Sequence, residues 1–295
     1  MSKTTHKIIG MVAQTAIHVG ASSNDDLIDL PIQREAHTDW PMIAGSGMKG
    51  AWRSRAASEP TISQSQEYSI FGPSTGNAAE HAGAIMVSDA RLVLLPVRSL
   101  TSHFKWVTCH SLLQRYLRDR LRLGYLSETE ITSAKASGHK ALVATENHGE
   151  SLYLEEFRYE VKKASLDQVV AMLADLMGEE YREDIEENLV IVSNDQFNYL
   201  SRAAVPLQAR IAIDEKSKTV APGALWYEEY LPAETVMYNC LSFGEARGKE
   251  PMSSEQLKQT FLSNLVCEHP HIQVGGNATV GMGWFGVNPV KGERQ

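Results

Sequence analysis

The chain has 295 residues, 43% hydrophobic and 22% charged, with a formal net charge of −8. That length allows one elaborated domain or two small ones around a sizeable core. No apolar run reaches the roughly 20 residues that a bilayer-spanning helix needs, which excludes a helical membrane protein. Cys109, Cys240 and Cys267 stand far apart with no Cys-x-x-Cys pair, so buried thiols in a reducing compartment are expected, not disulfides or a cysteine zinc site. The opening Met-Ser-Lys-Thr-Thr-His lacks the layout of a secretory signal, and a cytoplasmic location without a membrane partner is expected.

Lys7–Val19, rich in Ile, Val, Met and Ala, reads as a strand. A polar loop follows from Gly20 to about Trp40. Met48–Ala57 reads as a short helix after a Gly-Ser-Gly turn, ending before Pro60. Pro60–Gly83 reads as an irregular excursion, and Ala84–Leu95 as a strand closed by Pro96. Ser111–Leu123 is expected to be helical, with Leu113, Leu117 and Leu121 on one face and Arg115, Arg118 and Arg122 on the other. Ser127–Lys163 is polar and looks inserted. Helix Leu166–Met177, strand Asn188–Ser193 and helix Asn194–Ala204 come next. Ala209–Asp214 and Ala224–Tyr230 flank a polar turn and read as a β-hairpin. Glu255–Val266 is helical, and Ile272–Val287 forms the last strands. Strands and helices mix without strict alternation, which favours α+β over a doubly wound sheet.

Charge is segregated. Residues 164–198 hold nine acids and one base, Arg182, whereas residues 91–124 hold seven bases and one acid, Asp119. A basic groove on an acidic body fits this distribution. So do two solvated helix faces.

Gly45-Ser46-Gly47-Met48-Lys49-Gly50 matches G-x-G-x-x-G. The residues after it read as loop, not as the second strand of a dinucleotide fold, so that reading is rejected. What remains is a small-residue turn exposing backbone N–H groups at a helix start, with Lys49 and Arg53 four apart on one face, a setting that suits phosphate. A second cluster is Gly275-Gly276-Asn277-Ala278-Thr279-Val280-Gly281-Met282-Gly283. Glycines there allow close approach to a ligand, although a bulged hairpin accounts for them equally. His269-Pro270-His271 has a metal-ligand-like spacing but no evident carboxylate or cysteine partner. His103 and His110 flank Trp106 without a spacing that demands a role.

The spacing in Gly276–Gly283 resembles the glycine-rich loop of the RAMP superfamily of CRISPR-associated RNA-binding proteins. Further segments point the same way: Ile17-His18-Val19-Gly20; Asp29-Leu30-Pro31-Ile32-Gln33-Arg34-Glu35 with His37-Thr38; Ser46-Gly47-Met48-Lys49-Gly50; Pro96-Val97-Arg98-Ser99 with Trp106-Val107-Thr108-Cys109; and Gly223 to Pro232. As an ordered set they resemble the repeated backbone subunit of type III-B (Cmr) effector complexes. The resemblance implies one domain over residues 1–295, with a ferredoxin-like, RNA-recognition-type core. It places an insertion at about 127–163 and a β-hairpin thumb at about 206–231. It implies head-to-tail copies along a guide CRISPR RNA, together with other subunits of the complex. It further implies divalent-metal-dependent cleavage of complementary target RNA by Asp29, with Mg2+ or Mn2+ held there. His18, Glu228 and Tyr230 would support the cut. Gly45, Ser46, Lys49, Arg53, Arg98, Gly275, Gly276, Asn277, Gly281 and Gly283 would contact RNA.

Relatives often carry a small, glycine-rich stretch before the catalytic acid, where this chain has Ser22 to Ile28 with Asp25 and Asp26. Two alternatives stay open on the sequence: a non-catalytic guide-binding scaffold, and a precursor-guide-processing endoribonuclease with His18 as general base.

Overall fold

The computed structural model describes residues 4–21, 28–73, 81–125, 134–145, 149–246 and 251–291. Strand β1 spans Thr5–Ala13, and the two-residue β2, Met42–Ile43, leads into helix α1, Gly45–Ala57. Helix α2 (Gln64–Phe71), strands β3 (Ile85–Arg98) and β4 (Phe104–Cys109) and helix α3 (His110–Arg122) follow. Next come β5 (Lys140–Val143), β6 (Ser151–Leu154), β7 (Phe157–Lys163) and α4 (Asp167–Met177). Then α5 (Arg182–Asn188), β8 (Leu189–Val192) and α6 (Asn194–Ala203) precede the hairpin strands β9 (Leu207–Ile213) and β10 (Val220–Glu229). Strand β11 (Val236–Phe243), helix α7 (Ser254–Phe261) and strands β12 (His271–Gln273) and β13 (Trp284–Pro289) end the chain order.

Four strands, β13-β1-β11-β3, lie side by side and antiparallel. Helix α1 joins β1 to β3 and α7 joins β11 to β13, so the chain runs β-α-β-β-α-β through this unit. That is the ferredoxin-like arrangement, and the architecture is α+β. The first and last strands are neighbours, with Met11 opposite Val287. The sheet extends past β3 through β4, β8, β5, β7 and β6, while β9 and β10 form a separate two-stranded ribbon.

Both faces of the sheet are covered. Ile9, Met11 and Ala13 of β1 pack with Met48 and Trp52 of α1 and Phe261 of α7. Ile8 and Val12 point the other way and pack with Leu113 and Tyr116 of α3 and Leu173 of α4. A strand buried on both faces reads as an apolar run without alternation. Strand β11 is such a strand, and it stands at the centre of the sheet although its sequence, VMYNCLSF, carries no alternating pattern.

The boundaries depart from expectation where tertiary contacts decide them. The expected strand Lys7–Val19 stops at Ala13, because the chain there leaves the ladder and continues through single bridges, Ile17 to Leu231 and Gly20 to Ile32. Strand β3 runs through Pro96 to Arg98. Proline is tolerated because β3 has left β11 after Leu94, so one edge alone is paired at Pro96. The excursion Pro60–Gly83 contains helix α2, started by a Ser63/Gln66 capping box. On α3 the inward stripe is Leu113, Tyr116 and Leu117, while Leu121 is exposed. Helix α7 ends at Phe261 and continues as a π-helical stretch, Leu262–Cys267. Cys109 and Cys240 are buried, which pushes their thiols up to about 11 and about 12, but Cys267 is exposed, against expectation. No helix among the described residues is long and apolar enough to cross a membrane.

The basic window is not an open groove. Arg91 and Arg122 pair with Asp119, Arg115 with Glu35 and Arg120 with Asp175. Lys105 donates to the Glu187 carbonyl and to Asn188, and burial pulls its pKa down. Arg115 and Arg120 thus neutralise acids elsewhere in the fold, while Arg91 and Arg122 share the one acid of the window itself.

Helix α4 crosses β1 at Gly10, where an added Cβ would meet the Leu176 carbonyl oxygen at 1.8 Å. Gly10→Ala should therefore cost about 1–3 kcal/mol by forcing β1 and α4 apart. A urea unfolding midpoint equal to that of the parent would contradict this packing.

Candidate functional site

Three segments meet at the end of the sheet where β1 finishes and β13 begins. The first follows β1 and carries His18. The second is the strap from Asp29 to Arg34. The third is the root of the hairpin, Tyr227–Leu231. Backbone bonds stitch them together: Leu30 N–H donates to Tyr227 O at 3.1 Å, Glu229 N–H to Leu30 O at 3.0 Å and Leu231 N–H to Ile17 O at 2.9 Å. Glu229 then bonds the strap with both oxygens, to Ile32 N at 3.0 Å and to the Arg34 guanidinium at 2.5 Å.

Asp29 is exposed, and one carboxylate oxygen accepts the Tyr227 N–H at 2.7 Å. Its second oxygen has no protein donor among the described residues. His18 is 8% exposed. Its Nδ1 lies 2.7 Å from the Glu229 carbonyl oxygen, which can accept but not donate, so Nδ1 carries the proton. That leaves Nε2 as the ring nitrogen available to a ligand. Gly20 keeps that side open: a Cβ there would stand 3.1 Å from Nε2. Glu228, 3% exposed, lies between them. Its Oε1 is 3.4 Å from His18 Nδ1 and accepts from the Asn277 side-chain amide, and its Oε2 accepts from Arg210 Nε at 3.1 Å.

The glycine-rich loop closes the site from the β13 side. Gly276 N–H donates to the His18 carbonyl at 2.9 Å and Gly283 N–H to the Ala16 carbonyl at 2.9 Å. At Gly275, with φ +91°, a Cβ would meet the His18 oxygen at 2.3 Å, so backbone lies directly on backbone. Asn277 adopts the left-handed conformation, with φ 59°. His18, Glu228 and this loop are joined by direct hydrogen bonds or close contact, and Asp29 reaches them through the Tyr227 amide. Tyr230 joins through its backbone, its N–H donating to Pro206 O at 3.2 Å.

The first glycine motif lies inside helix α1, not in a turn before it. Gly45 N–H donates to Asp89 at 2.7 Å, and its Cα rests against the backbone of β3. An open groove of about 620 Å³ separates Gly47, Gly50 and Ser54 from Gln273, Gly275 and Trp284, and so joins the two glycine motifs. Ser46 is exposed. Lys49 and Arg53 sit on the flank beside α2, where Arg53 pairs with Glu67 at 2.9 Å and, together with burial, lowers the pKa of Lys49. Arg98 projects from the same end of the sheet but two strands from β1, paired with Glu155 at 2.5 Å.

Asp25 and Asp26 lie outside the described residues. Among the described residues, Asp29 is not grouped with two further metal-ligating side chains. The oxygen of Asp29 that Tyr227 leaves free is a hard donor of the kind a divalent cation takes. The group that does cluster is Glu59, Glu268 and His269, which corrects the expectation that His269 lacks a carboxylate partner. His269 Nε2 lies 3.5 Å from Glu59, which also pairs with Arg55.

Sequence reasoning missed Arg210 and Asn277's link to Glu228. The signal for Arg210 was the hairpin register: Arg210 pairs with Trp226 and Glu228 with Gln208, which makes Arg210 and Glu228 diagonal neighbours on one face.

The model of the RAMP superfamily matches residues 11–286. The Cmr endoribonuclease Cmr4 of Pyrococcus furiosus is 33% identical over 284 residues, covering 95% of this chain and 94% of that protein. The crystal structure of oligomeric Cmr4 from the same organism superposes with a TM-score of 0.76 at 28% identity, over 99% of this chain and all of that one. A chain in the cryo-electron microscopy structure of the type III-B Cmr-beta complex bound to cognate target RNA shares the fold, with a TM-score of 0.75 at 22% identity and 97% coverage of both chains.

Gly275→Ala should weaken RNA binding at least about tenfold, because the new methyl group displaces the loop from His18. Gly244→Ala, just past the far end of β11, where an added Cβ meets nothing closer than 3.6 Å, should bind as the parent does. Fluorescence anisotropy with labelled single-stranded RNA compares the two.

Proposed function

Because the chain belongs to the RAMP superfamily, we propose that it is the repeated backbone subunit of a type III-B effector complex and cuts the target RNA paired to its guide. The observation that carries this reading is that Asp29 and His18 are anchored two residues apart on one stretch at the root of the hairpin, Asp29 by the Tyr227 N–H and His18 by the Glu229 carbonyl. The names of the relatives support it, one an endoribonuclease and one an oligomer. Such a subunit works in the cytoplasm, stacked with copies of itself along the guide and with other subunits of the complex.

The reaction is attack of a ribose 2′-oxygen on its own phosphate. A new 2′-O–P bond forms and the P–O5′ bond breaks, which leaves a cyclic phosphate and a 5′-hydroxyl. The 2′-proton must leave and the 5′-oxygen must gain one. A carboxylate with a reference pKa near 3.9 is a weak base for a ribose hydroxyl. The chain therefore contributes mainly alignment and hydrogen bonding. Asp29 stands on the strap with one oxygen fixed by Tyr227 and the other available. His18 offers Nε2 as an acceptor for the 2′-hydroxyl. The Gly275–Gly283 loop and the groove beside α1 hold the guide backbone, whose sequence the protein does not read. A divalent ion at Asp29, Mg2+ or Mn2+, would polarise the phosphate and stabilise charge on the leaving oxygen.

In the assembled complex, Asp29→Asn should slow target cleavage at least about 100-fold. Guide content and sedimentation should not change, and chelation of divalent ions should stop cutting by the parent. Regularly spaced products from the Asp29→Asn complex would overturn the assignment.

A further inference from the structure

Glu228 is a carboxylate buried among three segments, and its charge must be compensated locally. His18 gives it no hydrogen bond, because its Nδ1 stands 3.4 Å from the carboxylate and is turned to the nearer Glu229 carbonyl at 2.7 Å. Asn277 is neutral. Among the described residues, Arg210 is the one permanently charged group bonded to it, through Nε at 3.1 Å. The same guanidinium reaches across the gap to the glycine-rich loop, with Nη2 3.3 Å from Met282 Sδ.

Arg210 belongs to β9, so it is part of the hairpin. Its face of the ribbon, with Gln208, Trp226 and Glu228, is the one turned to the loop. The opposite face carries Leu207, Ile211 and Leu225, all exposed. The hairpin otherwise meets the loop through Glu228 and Asn277. Removing Arg210 would leave a buried carboxylate whose nearest remaining cationic candidate is His18 at 3.4 Å, which would draw the imidazole off the Glu229 carbonyl.

We propose that Arg210 is a positioning residue. It locks the hairpin root to the glycine-rich loop through Glu228, and by doing so fixes His18 and the Asp29 strap relative to the guide. The proposal rests on the nuclease reading above.

The test uses reconstituted complexes carrying Arg210→Gln, Arg210→Lys, Glu228→Gln and the Arg210→Gln/Glu228→Gln pair, with the parent as control. Arg210→Gln should lower the single-turnover rate at saturating target by about 10- to 100-fold. Target affinity and guide content should stay within about twofold of the parent, a change of roughly 0.4 kcal/mol or less. Arg210→Lys keeps the charge and should recover most of the rate. The pair should be no slower than Glu228→Gln alone, because Arg210 acts through that carboxylate. A parental rate in Arg210→Gln overturns the proposal. So does a parallel loss of target affinity, which would make Arg210 an RNA contact, or additive losses in the pair. Intact target with the parent complex overturns the nuclease reading and this proposal with it.

Discussion

Glu228 is the point on which the site turns. A carboxylate this deeply buried is costly unless each oxygen has a partner, and here the partners come from different parts of the chain. Asn277 arrives from the loop before β13, Arg210 from β9, and His18 from the segment after β1. Satisfying one side chain therefore requires that the hairpin, the glycine-rich loop and the end of β1 stand together. The close approach of Gly275 to the His18 carbonyl is the backbone counterpart, since a side chain at that position would hold the loop off. Asp29 enters through the Tyr227 amide, one residue from Glu228.

The ferredoxin-like core explains why these segments can meet. Adjacent placement of β13 and β1 puts the chain entering β13 next to the chain leaving β1. Adjacent placement of β1 and β11 brings the hairpin root, just before β11, to the same end. Three connections that are far apart in sequence thus open onto one edge of the sheet, and the helices and outer strands bury its faces without intruding there.

Much of this was legible in the sequence, for reasons that can be named. Helices with a one-sided stripe, such as α4, and the alternating hairpin strands carry local periodicity. The two glycine motifs were visible as patterns of small residues, whereas Asp29 was found through ordered segments resembling a family. Strand β11 was not visible because a strand covered on both faces has no alternation to read. Helix α2 could have been found from Ser63 and Gln66. The fate of the basic window was not readable because Arg115 and Arg120 find their partners, Glu35 and Asp175, far along the chain. Arg120 and Asp175, one from the basic window and one from the acidic, meet at 3.1 Å, so part of the segregated charge is the mark of two elements folded against each other. Arg210 required knowing which hairpin residues face each other.

The tie between Asp29 and the Tyr227 amide has a mechanical side. The strap hangs from the hairpin by backbone bonds, so a tilt of the hairpin carries the carboxylate with it. The hairpin and the Asp29 carboxylate then move as one body, and flexing of the sheet beneath them would not change the distance between them. In a long stack of copies, each would keep its own gauge, and deviations from ideal spacing along the stack would not accumulate into the position of any single cut.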